Sequence, residues 1–258
     1  MNTLERFFAP EAWYYASGTD GFQTLGLGHL CVIAACVAMI VLLVRRYRSL
    51  PPGLAWGSPR RRQLLVMAIL PPLLISTRMA QLISHDVFWP IFWPLHICNL
   101  CEYLWVIYAL HPHGRFGDAL GNLLFCWSIV GGAGALLVPG WASYSPLLCW
   151  SSLCGFVGHA LFFASTICVL AGRDLVPNIR WIWVPIVAAI VGGAFFYAFN
   201  AQFGTNFFFT DPYTAGVPFS TLADLFGPSG FFVAYLAAAV ILWVCFYGVH
   251  ALVTRKRG

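Results

Sequence analysis

Long apolar runs separated by short polar stretches repeat along the whole chain, and they do so without strict alternation of apolar and polar positions. About 20 mostly apolar residues span a bilayer as a helix. Seven such runs fit the sequence, at 26–44, 64–84, 92–110, 119–139, 147–170, 181–202 and 230–252. A membrane β-barrel would show shorter segments of alternating polarity. The pattern therefore predicts an all-α, polytopic membrane helix bundle with seven transmembrane helices, forming a single domain over residues 1–258. Pro71-Pro72 predicts a break or kink in the second span. Gly131-Gly132-Ala133-Gly134 predicts close approach of a neighbouring helix to the fourth. The segment 203–229 is rich in Phe, Gly, Pro and Thr, too apolar for a free linker, and is expected to fold back over the mouth of the bundle.

Composition strengthens this picture. Hydrophobic residues make up 60% of the chain and charged residues only 9%, with a mean hydropathy of +0.78. Water-soluble domains carry about 25% charged residues, so a soluble fold is excluded. The net charge of +5 does not indicate nucleic acid, because the basic residues lie scattered beside apolar runs. They read instead as orientation signals. Arg45, Arg46, Arg48, Arg60, Arg61, Arg62, Arg115, Arg173, Arg180, Arg255, Lys256 and Arg257 all fall on one side of a seven-span chain. Glu5, Glu11, Asp20, Asp86, Asp211 and Asp224 fall on the other, with Arg6. The N-terminus is thus expected outside the cytosol and the C-terminus inside. The nine cysteines sit almost entirely in apolar runs and show no CxxC pair or disulfide framework. No cleavable signal peptide is read in the first 24 residues.

Polar residues inside hydrocarbon are costly and mark candidate sites. The densest group is His96-Ile97-Cys98-Asn99-Leu100-Cys101-Glu102 in the third span. At about 100° per residue, Cys98, Asn99 and Glu102 share one arc, and His96 lies about 60° beyond Asn99. Cys98 is then too far round the helix from His96 to use it as a base. His159, well inside the fifth span, is the candidate partner. A thiol beside an imidazole can ionise and attack an acyl carbonyl, with Glu102 orienting the histidine or carrying a proton. Plainer readings stand beside this one. Cys98 packs as a small hydrophobe, His159 is an interhelical hydrogen-bond partner, and Glu102 pairs with Arg78 of the second span. Arg78 otherwise holds a lipid phosphate. His29, at the outer start of the first span, is either interfacial or a site member. His111, His113 and His250 read as structural. A metal held by His96, Cys98 and His159, with Glu102, matches no standard zinc spacing, so neither a metal nor a cofactor is called for.

Trp93-Pro94-Leu95-His96-Ile97-Cys98-Asn99-Leu100 resembles the Leu-Pro-Leu-His-x-Cys segment of the YwaF-type bacterial integral membrane proteins. Gly204-Thr205-Asn206 with its following aromatics, and then Leu222-Ala223-Asp224-Leu225-Phe226-Gly227-Pro228, resemble that family's second signature. The resemblance runs over about residues 25–250, with His29 and His159 at similar places. The animal relative, transmembrane protein 164, is described as an acyltransferase that moves acyl chains between phospholipids to make ether lipids through a cysteine and a histidine. By motif, these would be Cys98 and His159. Where many relatives carry Tyr-Met and Lys-Pro after the Gly-Thr-Asn, this chain has Phe207, Phe208 and Asp211-Pro212. Where relatives carry aromatics after the Gly-Pro, it has Ser229-Gly230. Head-group or acceptor preference is where a difference is expected.

The expected function is an intramembrane lipid acyltransferase of the bacterial inner membrane. Membrane phospholipids are its substrates, and no nucleic acid is involved. Cys98, His159 and Glu102 are the expected catalytic residues. His96, Asn99, Asn206, Arg78 and His29 are expected to bind substrate, with Asn99 or Asn206 donating to the oxyanion. Hydrolysis at the same site is one alternative. A non-enzymatic seven-helix carrier or lipid sensor is the other, although no inverted repeat supports a carrier.

Overall fold

The computed structural model describes residues 3–18, 21–86, 90, 93–142, 145–215 and 219–255. Among these the regular structure is helical throughout, with no strand. Two short helices, α1 (Thr3–Phe7) and α2 (Glu11–Ser17), precede α3 (Leu27–Ser49), α4 (Pro59–Ser84), α5 (Ile97–Leu110) and α6 (Gly114–Leu137). Then follow α7 (Trp150–Ala171), α8 (Trp183–Phe203), the single-turn α9 (Pro212–Ala215) and α10 (Phe219–Arg255).

Six of the described helices are long and apolar enough to cross a membrane. The expected third span is the exception. Its helix begins only at Ile97 and holds 14 residues, a rise of about 21 Å. Pro94 lies just ahead of it, and position 92, where the span was expected to begin, is outside the described residues. The last span differs in the opposite sense. Residues 219–229, expected as loop, are helical and join the predicted span in one 37-residue element, broken at Gly227 (φ 73°, ψ 161°) and Pro228. Only glycine takes that backbone region without strain. At Pro71-Pro72, where a break or kink was expected, α4 is not broken and runs through both prolines.

The centre of the bundle is α7. In its membrane-length window 72% of residues are buried, against 11% for α10. Helices α3, α4, α5 and α6 all pack on α7, and α8 packs on α6. The outward faces of α8 and α10 are apolar rather than charged, with Val191, Phe195, Val233 and Ile241 all exposed. Small residues make the close approaches possible. A Cβ on Gly132 would sit 2.6 Å from Phe163 Cβ of α7, the tight contact expected of the Gly131–Gly134 stretch. Gly134 meets nothing within 4 Å.

The basic end of the bundle departs from the sequence reading. Most of 45–63 is helix, with Arg45, Arg46 and Arg48 in α3 and Arg60, Arg61 and Arg62 in α4. Arg60 and Arg61 are buried and act as joints. Arg60 Nη1 pairs with Asp174 Oδ2 at 3.0 Å and also donates to Gly172 O, while its Nε donates to Tyr47 O and Leu50 O. Tyr47 Oη and Gly53 N–H donate to the same carboxylate. Arg61 donates to Ala109 O and Leu110 O, capping the last carbonyls of α5, and to Leu54 O. The start of α4 therefore meets the end of α5, so the two helices run antiparallel. His113 is structural, as expected, with Nε2 3.2 Å from Leu54 O. Lys256, Arg257 and Asp20, which entered the charge argument, lie outside the described residues.

Candidate functional site

Asn200, near the end of α8, builds the turn that closes the far end of the bundle. Its Nδ2 donates to Phe207 O at 2.8 Å and Thr210 Oγ1 at 2.7 Å. Its Oδ1 accepts from Thr205 Oγ1 at 2.7 Å and Phe207 N–H at 3.0 Å. Gly204 ends α8 in the left-handed region, at φ 62°. Phe208 and Phe209 also have positive φ, of 60° and 54°, a strained choice for aromatic residues. The Asn200 bonds hold that strain in place. Phe208 stacks on Phe196 at 4.7 Å and fills the space left by Gly192, whose Cβ would lie 2.6 Å from its ring.

This aromatic turn reaches the start of α5. His96 is the N-cap residue of α5, outside the helix proper, so helical spacing does not set its direction. Its ring sits between Phe207 and Phe209, at centroid distances of 5.0 and 5.3 Å. Phe209 stacks on Phe219 at 4.6 Å, and Phe219 meets the ring of Tyr235 edge-on at 5.4 Å.

Beneath this roof lies the polar group. Cys98, at the second position of α5, points its thiol toward Gly131 O of α6 at 3.9 Å. A Cβ on Gly131 would be 3.2 Å from Cys98 Sγ and 3.9 Å from the Phe162 ring. Phe162 in turn lies 5.3 Å from the His159 ring, between centroids. One turn along α5, Glu102 is 2% exposed and accepts a hydrogen bond from the Asn99 side chain. A Cβ on Gly158, the residue before His159, would lie 3.0 Å from Glu102 Oε1. That glycine lets the carboxylate reach α7. Arg78, on α4, lies in the neighbourhood of both Glu102 and His159. Glu102 therefore meets α7 at Gly158, while Cys98 lies against Gly131 of α6 and His159 against Phe162 of its own helix.

His159 is buried, and its Nδ1 lies 2.7 Å from Gly155 O, one turn back on the same helix. A carbonyl only accepts, so Nδ1 carries the proton and Nε2 bears the lone pair of the neutral ring. One partner that fixes the ring is thus a backbone carbonyl of its own helix. Glu102 Oε2 is buried without a hydrogen-bond partner.

Two expected substrate contacts are committed elsewhere. His29 accepts from Leu25 N–H at Nδ1, and its Nε2 donates to Leu136 O, both at 2.9 Å. Neither nitrogen is left for a ligand, so His29 ties the start of α3 to the end of α6. Asn206 donates to Asp211 O at 2.7 Å and accepts from Asp211 N–H at 2.8 Å. Its amide is thus engaged in its own turn. Sequence reading missed Tyr235, which α10 brings to the neighbourhood of Cys98. The described residues hold no group of three His, Cys, Asp or Glu placed to bind a metal.

The TMEM164 family model matches residues 24–248. The chain belongs to the TMEM164 family. No curated protein and no solved structure matches it. The TMEM164 match leaves out α1 and α2 and encloses every candidate site residue named above. Together with the six apolar helices, it makes this an integral membrane protein. Membership of the TMEM164 family is consistent with a membrane lipid-modifying role.

Proposed function

We propose that the chain is an intramembrane phospholipid acyltransferase with Cys98 as nucleophile and His159 as base. The observation that carries this reading is the His159 tautomer. Nδ1–H is held by Gly155 O, so Nε2 is the ring nitrogen without a proton, on the helix that Glu102, one turn along from Cys98, reaches at Gly158. In the first step Cys98 Sγ bonds to the acyl carbonyl carbon of the donor lipid as its proton passes to Nε2. The tetrahedral oxyanion collapses, the ester C–O bond breaks, and the departing oxygen takes the proton from Nε2. An acyl thioester remains. The acceptor hydroxyl then gives its proton to Nε2 and bonds to the thioester carbon, and the departing thiolate recovers that proton. Asn99 is assigned to the oxyanion, and Arg78 with Glu102 to the charge balance of a site that excludes water. Water in place of the acceptor gives hydrolysis at the same centre.

The accompanying topology is one membrane domain with seven crossings, N-terminus outside and C-terminus inside, in a bacterial inner membrane. The antiparallel run of α5 between the Arg61 cap and the aromatic roof supports its counting as the seventh crossing. Labelling of a cysteine placed in the 50–58 loop from the outer face of intact cells would sink that orientation. One observation favours a carrier or sensor as second reading. The buried, unpartnered Glu102 Oε2 is suited to relaying a proton.

The test is acyl exchange between defined phospholipids in liposomes, followed by mass spectrometry, for the wild type, Cys98→Ala and His159→Ala. Exchange by the wild type, its loss in both folded variants and an acyl mass on the Cys98 peptide support the proposal. Full activity in Cys98→Ala moves the nucleophile elsewhere. Silence of the wild type across many lipids favours the carrier or sensor.

A further inference from the structure

Of three consecutive arginines at the start of α4, two are consumed by the fold and one is not. Arg60 and Arg61 are buried among backbone carbonyls and Asp174. Arg62 is exposed and spends only its Nε, on Gly57 O at 2.9 Å. Across from it on α3, Arg46 is exposed and its guanidinium makes no hydrogen bond or ion pair among the described residues. Arg46 and Arg62 line the same groove between α3 and α4, of about 370 Å³.

The remaining walls of this groove are mainly apolar, including Leu43, Val66 and Met67. Val66 is 58% exposed, so the groove lies open along the helices as well as at their basic end. Gln63 completes the lining. Its Nε2 is fixed by Leu43 O at 2.9 Å, whereas its Oε1 is buried with no hydrogen-bond partner. Two exposed cations, one of them holding only Gly57 O, one acceptor unmet among the described residues and an apolar trough thus occur together, away from the Cys98 group.

We propose that this groove is a binding site for an anionic phospholipid with a hydroxylated head group, of the phosphatidylglycerol type. The phosphate oxygens accept from Arg46 and Arg62, since guanidinium groups bind phosphate through paired N–H donors. A head-group hydroxyl donates to Gln63 Oε1, and an acyl chain lies along Leu43, Val66 and Met67. A choline or ethanolamine head group carries its own cation toward two arginines and is disfavoured. The site needs no acyl-transfer chemistry, so it stands or falls independently of the reaction proposed above.

The test is lipid retention by the purified full-length protein, read by native mass spectrometry during titration with phosphatidylglycerol or phosphatidylcholine. Phosphatidylglycerol is expected to bind at least tenfold more tightly. The double variant Arg46→Gln/Arg62→Gln is expected to lose that preference at unchanged melting temperature, because both side chains are exposed. The control Arg45→Gln/Arg48→Gln removes the same charge outside the groove and is expected to stay within twofold of wild type. Equal loss in both pairs means diffuse surface charge and overturns the proposal. Equal binding of the two lipids overturns it too, as does full competition by glycerol phosphate, which lacks the acyl chain.

Discussion

The imidazole of His159 donates from Nδ1 to the carbonyl oxygen of Gly155 at 2.7 Å, and this single bond decides which ring nitrogen can accept a proton. Removing a positioned base typically costs about 10²–10⁴-fold in rate. His159→Gln is therefore expected to lower acyl exchange in liposomes at least 100-fold, on the order of that range. A variant that exchanges acyl chains within threefold of wild type would reduce His159 to a packing residue.

Asn200 makes four hydrogen bonds to the turn after α8. Each is worth about 1 kcal/mol net, so Asn200→Ala should destabilise the protein by about 2–4 kcal/mol in a denaturant or thermal series. Asn200→Asp keeps the two accepted bonds and loses the two donated ones. Its stability is expected to fall between those of wild type and Asn200→Ala, and an Asp variant no better than Ala would contradict the clasp described here.

Asp174→Asn leaves the buried Arg60 without its ionic partner, and breaking such a pair costs about 3–5 kcal/mol. Arg45→Gln, on an exposed side chain, should stay within about 0.5 kcal/mol of wild type. Because Arg60 and Asp174 touch, Arg60→Gln/Asp174→Asn should cost clearly less than the sum of its single changes. Additive costs in that cycle would deny the joint.

Small residues in α6 are not equivalent. A Cβ at position 132 meets Phe163 Cβ at 2.6 Å, whereas one at 134 meets nothing within 4 Å. Gly132→Ala should cost about 1–3 kcal/mol through overpacking, and Gly134→Ala should be neutral or slightly stabilising. Thermal unfolding of the two variants side by side checks this, and equal melting points would refute the packing.

His29→Ala is expected to lower the melting temperature by several degrees, because it unties α3 from Leu136 O. The apparent KM for donor lipid should not change. A raised KM at unchanged melting temperature would return His29 to the substrate site.

Hydrophobic runs located every long helix, with most ends within five residues, because burial in hydrocarbon leaves a signal in each residue's own chemistry. The same runs misjudged α5 and the front of α10. Pro94 shortens the former helix, and no count of apolar residues reveals that 219–226 would coil rather than loop. Clustering of Cys98, Asn99 and Glu102 was legible from helical spacing. The approach of Cys98 to α6 and of Glu102 to α7 rests on Gly131 and Gly158, whose role is invisible without the neighbouring helix. Arg60 and Arg61 read as loop charges because their partners are backbone carbonyls and Asp174, which no local pattern marks. His29 and Asn206 looked available for substrate for the same reason: the groups that occupy them are peptide N–H and C=O.

The Arg60–Asp174 joint joins residues 114 apart in sequence. During synthesis the first long helices emerge well before residue 174 exists, so the Arg60 guanidinium must wait in a watery or lipid-phosphate environment. Closure of the basic end is then a late event in assembly, available only after α7 has been threaded between its neighbours. A fragment ending before α7 would leave that arginine only the Tyr47 and Leu50 carbonyls, so its charge stays unneutralised until the chain has passed residue 174.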